Sequence, residues 1–229
     1  MNEYIMFVDT ETSGLPKNWD HPNEDWPYVI QLSWIVYSKQ GVHIKEEDHY
    51  IYDERIVIDP ESEKIHHITK AVLEEKGERR LKVLKKFLRD LRQYNPLLVG
   101  HLIEFDKQML SVALQRAGLK NTLDQYPTYC TMKTNAHYMR LTNHLYPKLN
   151  ELYWSLFGHD MPGQHNALSD CRATAACFFE LVRREEITED IIKKQQLQLK
   201  KKASKKGSGC GLSVMLCFTL VFVLICYIW

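Results

Sequence analysis

Four carboxylates and one histidine stand out because their types and grouping suit metal-assisted hydrolysis. They lie in three separated segments: Asp9 and Glu11 in residues 7–15, Asp106 in 100–106, and His165 and Asp170 in 165–170. Packing four negative charges together without cations is costly. Two divalent ions would neutralise such a cluster, activate a water molecule and stabilise a leaving oxygen, as phosphodiester hydrolysis requires. We therefore predict a two-metal hydrolytic site.

Each part of this set is a weak signal when taken alone. Asp9 and Glu11 alternate with Thr10 along a short strand, so their side chains can share one face. The alternative is two surface acids at a strand end. Asp106 begins a predicted helix, where a single acid is often only a favourable partner of the helix dipole. A His–Asp pair near a helix start is usually structural, so the prediction depends on all five residues together.

The elements that must position these residues follow from the hydrophobic pattern. Short apolar runs predict five strands, at 4–8, 29–37, 42–52, 96–100 and 126–130. Helical spacing predicts helices at 81–94, 105–117, 149–157 and 167–182. A strand meander followed by alternating strands and helices predicts an α/β structure with a mixed five-stranded sheet flanked by helices.

Charge is distributed unevenly along the chain. Residues 193–206 contain seven lysines and no acid, whereas residues 1–192 contain 23 basic and 29 acidic residues, a net charge of −6. The body therefore lacks bulk attraction for a polyanion, which would have to be held locally, largely through metal ions. The six cysteines form no close C-x-x-C pair, which argues against a zinc site and is consistent with a reducing compartment.

The three segments together resemble the three motifs of the DEDDh family of 3′–5′ exonucleases, proofreading enzymes similar to the DNA polymerase III epsilon subunit. The matching stretches are Phe7-Val8-Asp9-Thr10-Glu11-Thr12-Ser13-Gly14-Leu15, Gly100-His101 with Phe105-Asp106, and His165-Asn166-Ala167-Leu168-Ser169-Asp170. The resemblance spans residues 4–183, and we predict that residues 1–183 form the exonuclease domain. Two departures are Leu102, where the family usually has Asn, and an insertion-like loop at 17–27 that contains Trp19 and Trp26.

The resemblance implies a ribonuclease H-like fold and two Mg²⁺ or Mn²⁺ ions. The ions would be held by Asp9, Glu11, Asp106 and Asp170, with Asp9 bridging both. His165 would be the general base that takes a proton from the attacking water, a role that suits an imidazole near neutral pH. Substrate contacts are expected from Thr10, Thr12, Leu15, His101, Phe105 and Trp26. The alternative for Phe105 is a core position, and for Trp26 it is packing of its own loop.

The leading functional hypothesis is a metal-dependent 3′–5′ exonuclease acting on 3′ ends of single-stranded or frayed nucleic acid, with DNA favoured. It would release nucleoside monophosphates. The alternatives are a non-catalytic nucleic-acid-binding or tethering module and a small-molecule phosphodiesterase that uses the same metals. A binding module has no need of a general base, so the complete set of five residues argues against it. A polymerase or another replication or repair protein is considered as a partner, although no residue identifies one.

The C-terminal 19 residues, 211–229, are uncharged and strongly apolar. As a helix they would be about 29 Å long, close to the roughly 30 Å hydrocarbon core of a bilayer. Lysines precede this stretch, and Tyr227 and Trp229 end it, as expected at membrane interfaces. With no signal peptide at the amino terminus, we predict a lysine-rich linker at 184–210 and a transmembrane anchor at 211–229 that holds the domain on the cytoplasmic face of a membrane. The alternative is a buried helix of the globular domain.

Overall fold

A mixed sheet forms the centre of the computed structural model, which describes residues 2–17, 26–134 and 146–206. Its strands are β1 Tyr4–Thr12, β2 Val29–Ser38, β3 His43–Tyr52, β4 Glu78–Arg79, β5 Leu97–Gly100 and β6 Thr128–Cys130. They lie in the order β4–β3–β2–β1–β5–β6. Strands β1, β2 and β3 pair antiparallel, whereas β5 and β6 run parallel to β1, and β4 runs parallel to β3.

Helices cover both faces of this sheet. They are α1 Pro60–His66, α2 Lys70–Lys76, α3 Arg80–Tyr94, α4 Ile103–Arg116, α5 Thr131–Thr134, α6 Leu149–Phe157, α7 Ala167–Arg183 and α8 Glu189–Lys206. Helices α3 and α4 pack on one face, and α6 and α7 pack on the other. The result is a three-layer α/β arrangement.

Strand β1 shows why the sequence adopts this arrangement. Its even-numbered residues Met6 and Val8 belong to the core beneath α3 and α4, and its odd-numbered residues Ile5 and Phe7 belong to the core beneath α6 and α7. A strand covered on both faces reads as a continuous apolar run, because neither set of alternate side chains meets water. The same alternation continues into the polar residues that end the strand.

The predicted fold class was wrong about the number of strands, and nothing in the described residues supports its transmembrane helix. The sheet has six strands rather than five, because the two charged residues of β4, Glu78 and Arg79, pair with Ile51 and Tyr52 of β3 without forming an apolar run. The transmembrane helix predicted at 211–229 lies outside the described residues, and within the described part of the chain no helix has the length and apolarity needed to cross a bilayer. The fold is thus a ribonuclease H-like α/β structure with a mixed six-stranded sheet.

Helix α8 follows directly on the domain. It includes part of the segment predicted as a linker, and its first turns contact the sheet edge formed by β6. Ile192 is buried, and the Gln195 side chain forms hydrogen bonds with both backbone groups of Cys130, at 2.7 Å to the N–H and 3.1 Å to the carbonyl. The predicted domain boundary at residue 183 stays a prediction.

Candidate active site

Three carboxylates converge where β1 ends beneath the start of α7. Asp9 and Glu11 are the odd-numbered residues that continue the α7 face of β1, and Asp170 lies in the first turn of α7. One oxygen atom from each of the three carboxylates lies within 4.8 Å of the others. The shared strand face expected for Asp9 and Glu11 thus brings them to Asp170, which is far away in sequence.

Asp106 reaches the same place from the opposite face of the sheet. It lies in the first turn of α4, which begins just after β5, and its carboxylate is only 3% exposed. The Thr10 hydroxyl donates a hydrogen bond to Asp106 Oδ1 at 2.8 Å. Thr10 therefore connects β1 to α4 and holds the fourth acid beside the other three. We call Asp9, Glu11, Asp106 and Asp170 the active-site cluster.

Burial and mutual repulsion make ionisation of this cluster unfavourable. The pKa of Asp9 is raised well above its usual value, first by burial and then by the charges of Asp106, Asp170 and Glu11. Burial is also the main cause that raises the pKa of Glu11 to about 8 and the pKa values of Asp106 and Asp170 to about 7. Carboxylates arranged in this way need bound cations to be fully charged near neutral pH.

The residues present fit divalent cations. The cluster offers only carboxylate oxygens, which are the ligands that Mg²⁺ and Mn²⁺ prefer. Within the described part of the chain, Asp170 Oδ1 is buried and has no hydrogen-bond partner. A buried acceptor of this kind is rare unless something external satisfies it, so it supports binding of a cation.

His165 lies on a tight loop at the edge of the cluster. Its backbone is left-handed, with φ of 61°, and Gly163 before it has φ of 65°. A Cβ atom at Gly163 would lie 2.7 Å from Ser169 Oγ, so the loop needs glycine there. The ring is exposed, yet partial loss of hydration, and then the charges of Lys148 and His67, lower the pKa of His165. Its imidazole is therefore neutral near pH 7 and able to accept a proton.

Gln31 on β2 fixes the loop that precedes α7 and was not predicted. Its side-chain oxygen accepts hydrogen bonds from Ala167 N–H at 3.2 Å and from the Asn166 amide at 3.5 Å. Its amide group donates to Asp48 Oδ1 at 2.8 Å, and Ser33 donates to the same oxygen at 2.6 Å. Two polar residues within the apolar run of β2 were the signal that could have revealed this network.

The cluster and His165 line one cavity of about 190 Å³. Of the predicted substrate-binding residues, Thr10, His101 and Phe105 line it as well. Phe105 is half-buried and also packs against the core, so both of its predicted roles are compatible with its position. Lys148 from the start of α6 completes one wall, and no sequence motif had singled it out.

The other predicted substrate-binding residues lie outside the cavity lining. The Thr12 hydroxyl donates to the Gly14 carbonyl at 2.8 Å, Leu15 packs against the core, and Trp26 is only 3% exposed within it. The packing alternative for Trp26 thus matches its position, and Trp19 lies outside the described residues. A substrate role for these residues stays a prediction.

Leu102, the departure from the family pattern, has a left-handed backbone with φ of 81° at the start of α4. Asn adopts this conformation more readily than Leu, because its short polar side chain can bond locally. The Leu102 side chain is 8% exposed and belongs to the core, and it also lines the cavity. Packing thus offsets part of the backbone strain, and no acid of the cluster is affected.

Family comparison decides the class of this protein. The exonuclease family described as RNase_T matches residues 6–178, about three quarters of the chain. The chain belongs to this exonuclease family. The membership confirms the predicted 3′–5′ exonuclease class and its dependence on divalent metal. No curated protein matches the chain in sequence.

Solved structures of exonuclease I share the fold. The zinc-bound form of the E. coli exonuclease I–ssDNA complex is 17% identical with a TM-score of 0.66, covering 80% of this chain and 41% of that one. The E. coli enzyme in complex with a dT13 oligonucleotide is 18% identical with a TM-score of 0.64 and the same coverage. This chain thus spans about two fifths of the length of those enzymes. At this identity the likeness supports the exonuclease fold only.

Proposed function

We propose that this protein removes nucleoside monophosphates from 3′ ends of single-stranded or frayed nucleic acid, with DNA favoured, in a reaction that needs two divalent ions. The observation that carries the proposal is the convergence of the active-site cluster and His165 on one cavity. Family membership supplies the reaction class. The oligonucleotide complexes of exonuclease I, a protein of the same fold, support a single-stranded substrate.

The active-site cluster would hold Mg²⁺ or Mn²⁺ through its carboxylate oxygens. When bound, the ions supply positive charge that activates a water molecule and stabilises the leaving oxygen. Thr10 keeps the Asp106 carboxylate in place through its 2.8 Å hydrogen bond, and the first turn of α7 carries Asp170. These contacts fix the positions of two of the four acids that would hold the ions.

His165 would take a proton from the attacking water. Its exposed ring can reach a substrate end, and its lowered pKa keeps a ring nitrogen unprotonated near pH 7. The Asn166 side chain caps α7 through Ser169 N–H at 3.2 Å, and Gln31 holds the same turn on its other side. The loop that carries the base is therefore anchored immediately after His165.

The cavity favours an unpaired strand end. Phe105 offers an aromatic face within the lining, and stacking on such a face tolerates any base. The remainder of the lining contains the acids, which would be fully charged near neutral pH only together with bound metal ions. This arrangement supports binding through the terminal nucleotide rather than through a long basic track, in agreement with the net charge of −6 over residues 1–192, from 23 basic and 29 acidic residues.

Release of mononucleotides from labelled oligonucleotides tests the proposal. The full chain with Mg²⁺ should shorten a 5′-labelled single-stranded DNA from its 3′ end, and EDTA should stop the reaction. Asp9→Ala and His165→Ala should each lower the rate by about a hundredfold or more. Asp124→Ala, which changes a carboxylate that is 93% exposed outside the cavity, is the matched control. Undiminished turnover in Asp9→Ala, or no release by the unaltered chain, would refute the proposal, and matched RNA measures the preference for DNA.

A further inference from the structure

Lys148 is a cation on the wall of an acidic cavity. The lining contains the four acids of the active-site cluster, and Lys148 is its one lysine or arginine among the residues the structure describes. The Lys148 side chain is half-buried. A positive charge placed here can act on a bound anion, because the cavity walls exclude part of the screening water.

The backbone at Lys148 is fixed by the side chain of Glu151 in α6 and by that of His101, which lies between β5 and α4. The Lys148 N–H donates to Glu151 Oε2 at 2.8 Å, which begins α6. The Pro147 carbonyl lies 3.0 Å from His101 Nε2, and Thr131 Oγ1 lies 3.0 Å from His101 Nδ1. Burial lowers the pKa of His101 to about 4. The ring is therefore neutral, so Nε2–H donates to Pro147 and Nδ1 accepts from the Thr131 hydroxyl.

The ammonium group of Lys148 forms no ion pair within the described part of the chain. Two other lysines near the start of α4 do form pairs: Lys133 with Glu104, and Lys107 with Asp124 at 3.0 Å. Those two charges are largely satisfied by the protein itself. Lys148 differs from them because it lies on the cavity wall and has no carboxylate partner among the residues that the structure describes.

We propose that Lys148 binds a phosphate group of the substrate strand in this cavity, and that His101 positions it by holding Pro147. The inference rests on the proposed function and names a substrate contact within it. An ammonium group donates charge-assisted hydrogen bonds to non-bridging phosphate oxygens without transferring a proton. Lys148 therefore contributes to binding, and the acids and His165 carry out the chemistry.

Steady-state kinetics of the full chain separate binding from chemistry. Lys148→Gln should raise KM for a single-stranded DNA by about tenfold, the loss of one charge-assisted contact, while kcat changes by less than about twofold. It should also reduce the slope of log(kcat/KM) against log[salt] by roughly 0.7, as loss of one phosphate contact to a single strand predicts. Lys148→Arg should recover most of the affinity. Assays at pH 8 keep His165 neutral whether or not the charge of Lys148 is present.

Lys85→Gln is the matched control, because Lys85 is exposed on α3 and its loss changes the net charge equally. Thermal unfolding checks that each variant is folded. Fluorescence anisotropy with the same oligonucleotide in a His165→Ala background measures binding without turnover. If Lys148→Gln matches Lys85→Gln in KM, salt slope and anisotropy, the inference is wrong even though the nuclease is active. If the unaltered chain releases no mononucleotide, the proposed function fails, and the anisotropy comparison still decides the role of Lys148.

Discussion

Two groups of acids in this protein lie in opposite electrostatic environments. The active-site cluster places four carboxylates together, and burial raises their pKa values. A second group, which we call the β3 ion-pair cluster, consists of Lys45, Glu47, His49, Glu78 and Asp90. There, hydrogen bonds from Lys82 and then His49 outweigh partial burial and lower the pKa of Glu78 to about 2.

The difference separates structural acids from acids that need an external partner. Asp90 is fully buried, but it accepts hydrogen bonds from Trp34 Nε1 at 2.9 Å and Lys45 Nζ at 2.6 Å. Its charge is satisfied within the fold. Asp170 has a buried oxygen with no partner in the described residues, beside Asp9 and Glu11. A buried position alone thus does not identify a catalytic acid. A buried acid that no cation of the protein neutralises is a much stronger candidate.

The largest expected effect is a loss of stability of the metal-free protein as pH rises from 6.5 to 8.5. The acids of the active-site cluster have folded pKa values above their unfolded values, so their contribution is full below pH 4 and is lost as pH passes through about 7 to 8. Over this window we expect the free energy of unfolding to fall by about 3 kcal/mol. Urea denaturation in EDTA measures it, and millimolar Mg²⁺ should remove most of the loss.

Up to about pH 8 this window separates the active-site cluster from the other titrating groups. Above pH 8 the buried thiols of Cys130, Cys171 and Cys177, whose pKa values are raised by burial, begin to add to the loss. Burial lowers the pKa values of His66 and His101 to about 4, so their contribution changes only below their unfolded value near 6.5. The contribution of Glu78 is lost only as pH falls below about 4.5 toward 2. Asp9→Asn should make the metal-free curve flatter. A stability that is constant or rises from pH 6.5 to 8.5 would contradict the assigned state of the cluster.

The second expected effect concerns the β3 ion-pair cluster. Asp90→Ala removes the acceptor of Trp34 Nε1 and Lys45 Nζ and leaves a buried N–H unsatisfied. We expect the free energy of unfolding to fall by about 2 kcal/mol. Exonuclease activity per folded molecule should stay unchanged, because α3 contributes no residue to the cavity lining. Chemical denaturation measures the stability and a nuclease assay measures the activity. A variant that is fully folded but has lost activity would contradict the purely structural role of the β3 ion-pair cluster.

Residues close together in sequence account for what could be predicted of the site. Asp9 with Glu11, and His165 with Asp170, lie in short motifs whose strand or helix follows from local pattern. Their convergence with Asp106 needs the parallel pairing of β1 with β5, which no local pattern specifies. The motif resemblance is what placed the three segments in one site. It did not indicate which other side chains hold the acids in position.

Contacts across long sequence separations account for what was not predicted. Gln31 contacts Ala167, and Gln195 contacts Cys130, through polar side chains in otherwise apolar or charged segments. Strand β4 was missed because two residues are too few to show alternation. Trp26 joins the core although its neighbours in sequence suggest a loop. Each of these features depends on which distant element packs nearby, and hydrophobic periodicity does not contain that information.

The smallest expected effect concerns the backbone groups of strand β6, and it tests whether they are hydrogen-bonded as fully as the acids of the β3 ion-pair cluster. Strand β6 forms one edge of the sheet, and Gln195 pairs with Cys130 there as a neighbouring strand would. Gln195→Ala should lower the free energy of unfolding by about 1 kcal/mol, since water can replace part of the lost pairing at an edge. Amide hydrogen exchange should show faster exchange at Cys130 and little change at Val99 in the centre of β5.

A matched variant distinguishes pairing from packing. Gln195→Glu keeps the length of the side chain and its acceptor for the Cys130 N–H, but it loses the donor to the Cys130 carbonyl. Exchange at Cys130 should therefore stay slower in Gln195→Glu than in Gln195→Ala. Equal exchange in the two variants would mean that α8 protects this edge by covering it. The edge would then be shielded by α8 rather than hydrogen-bonded to it.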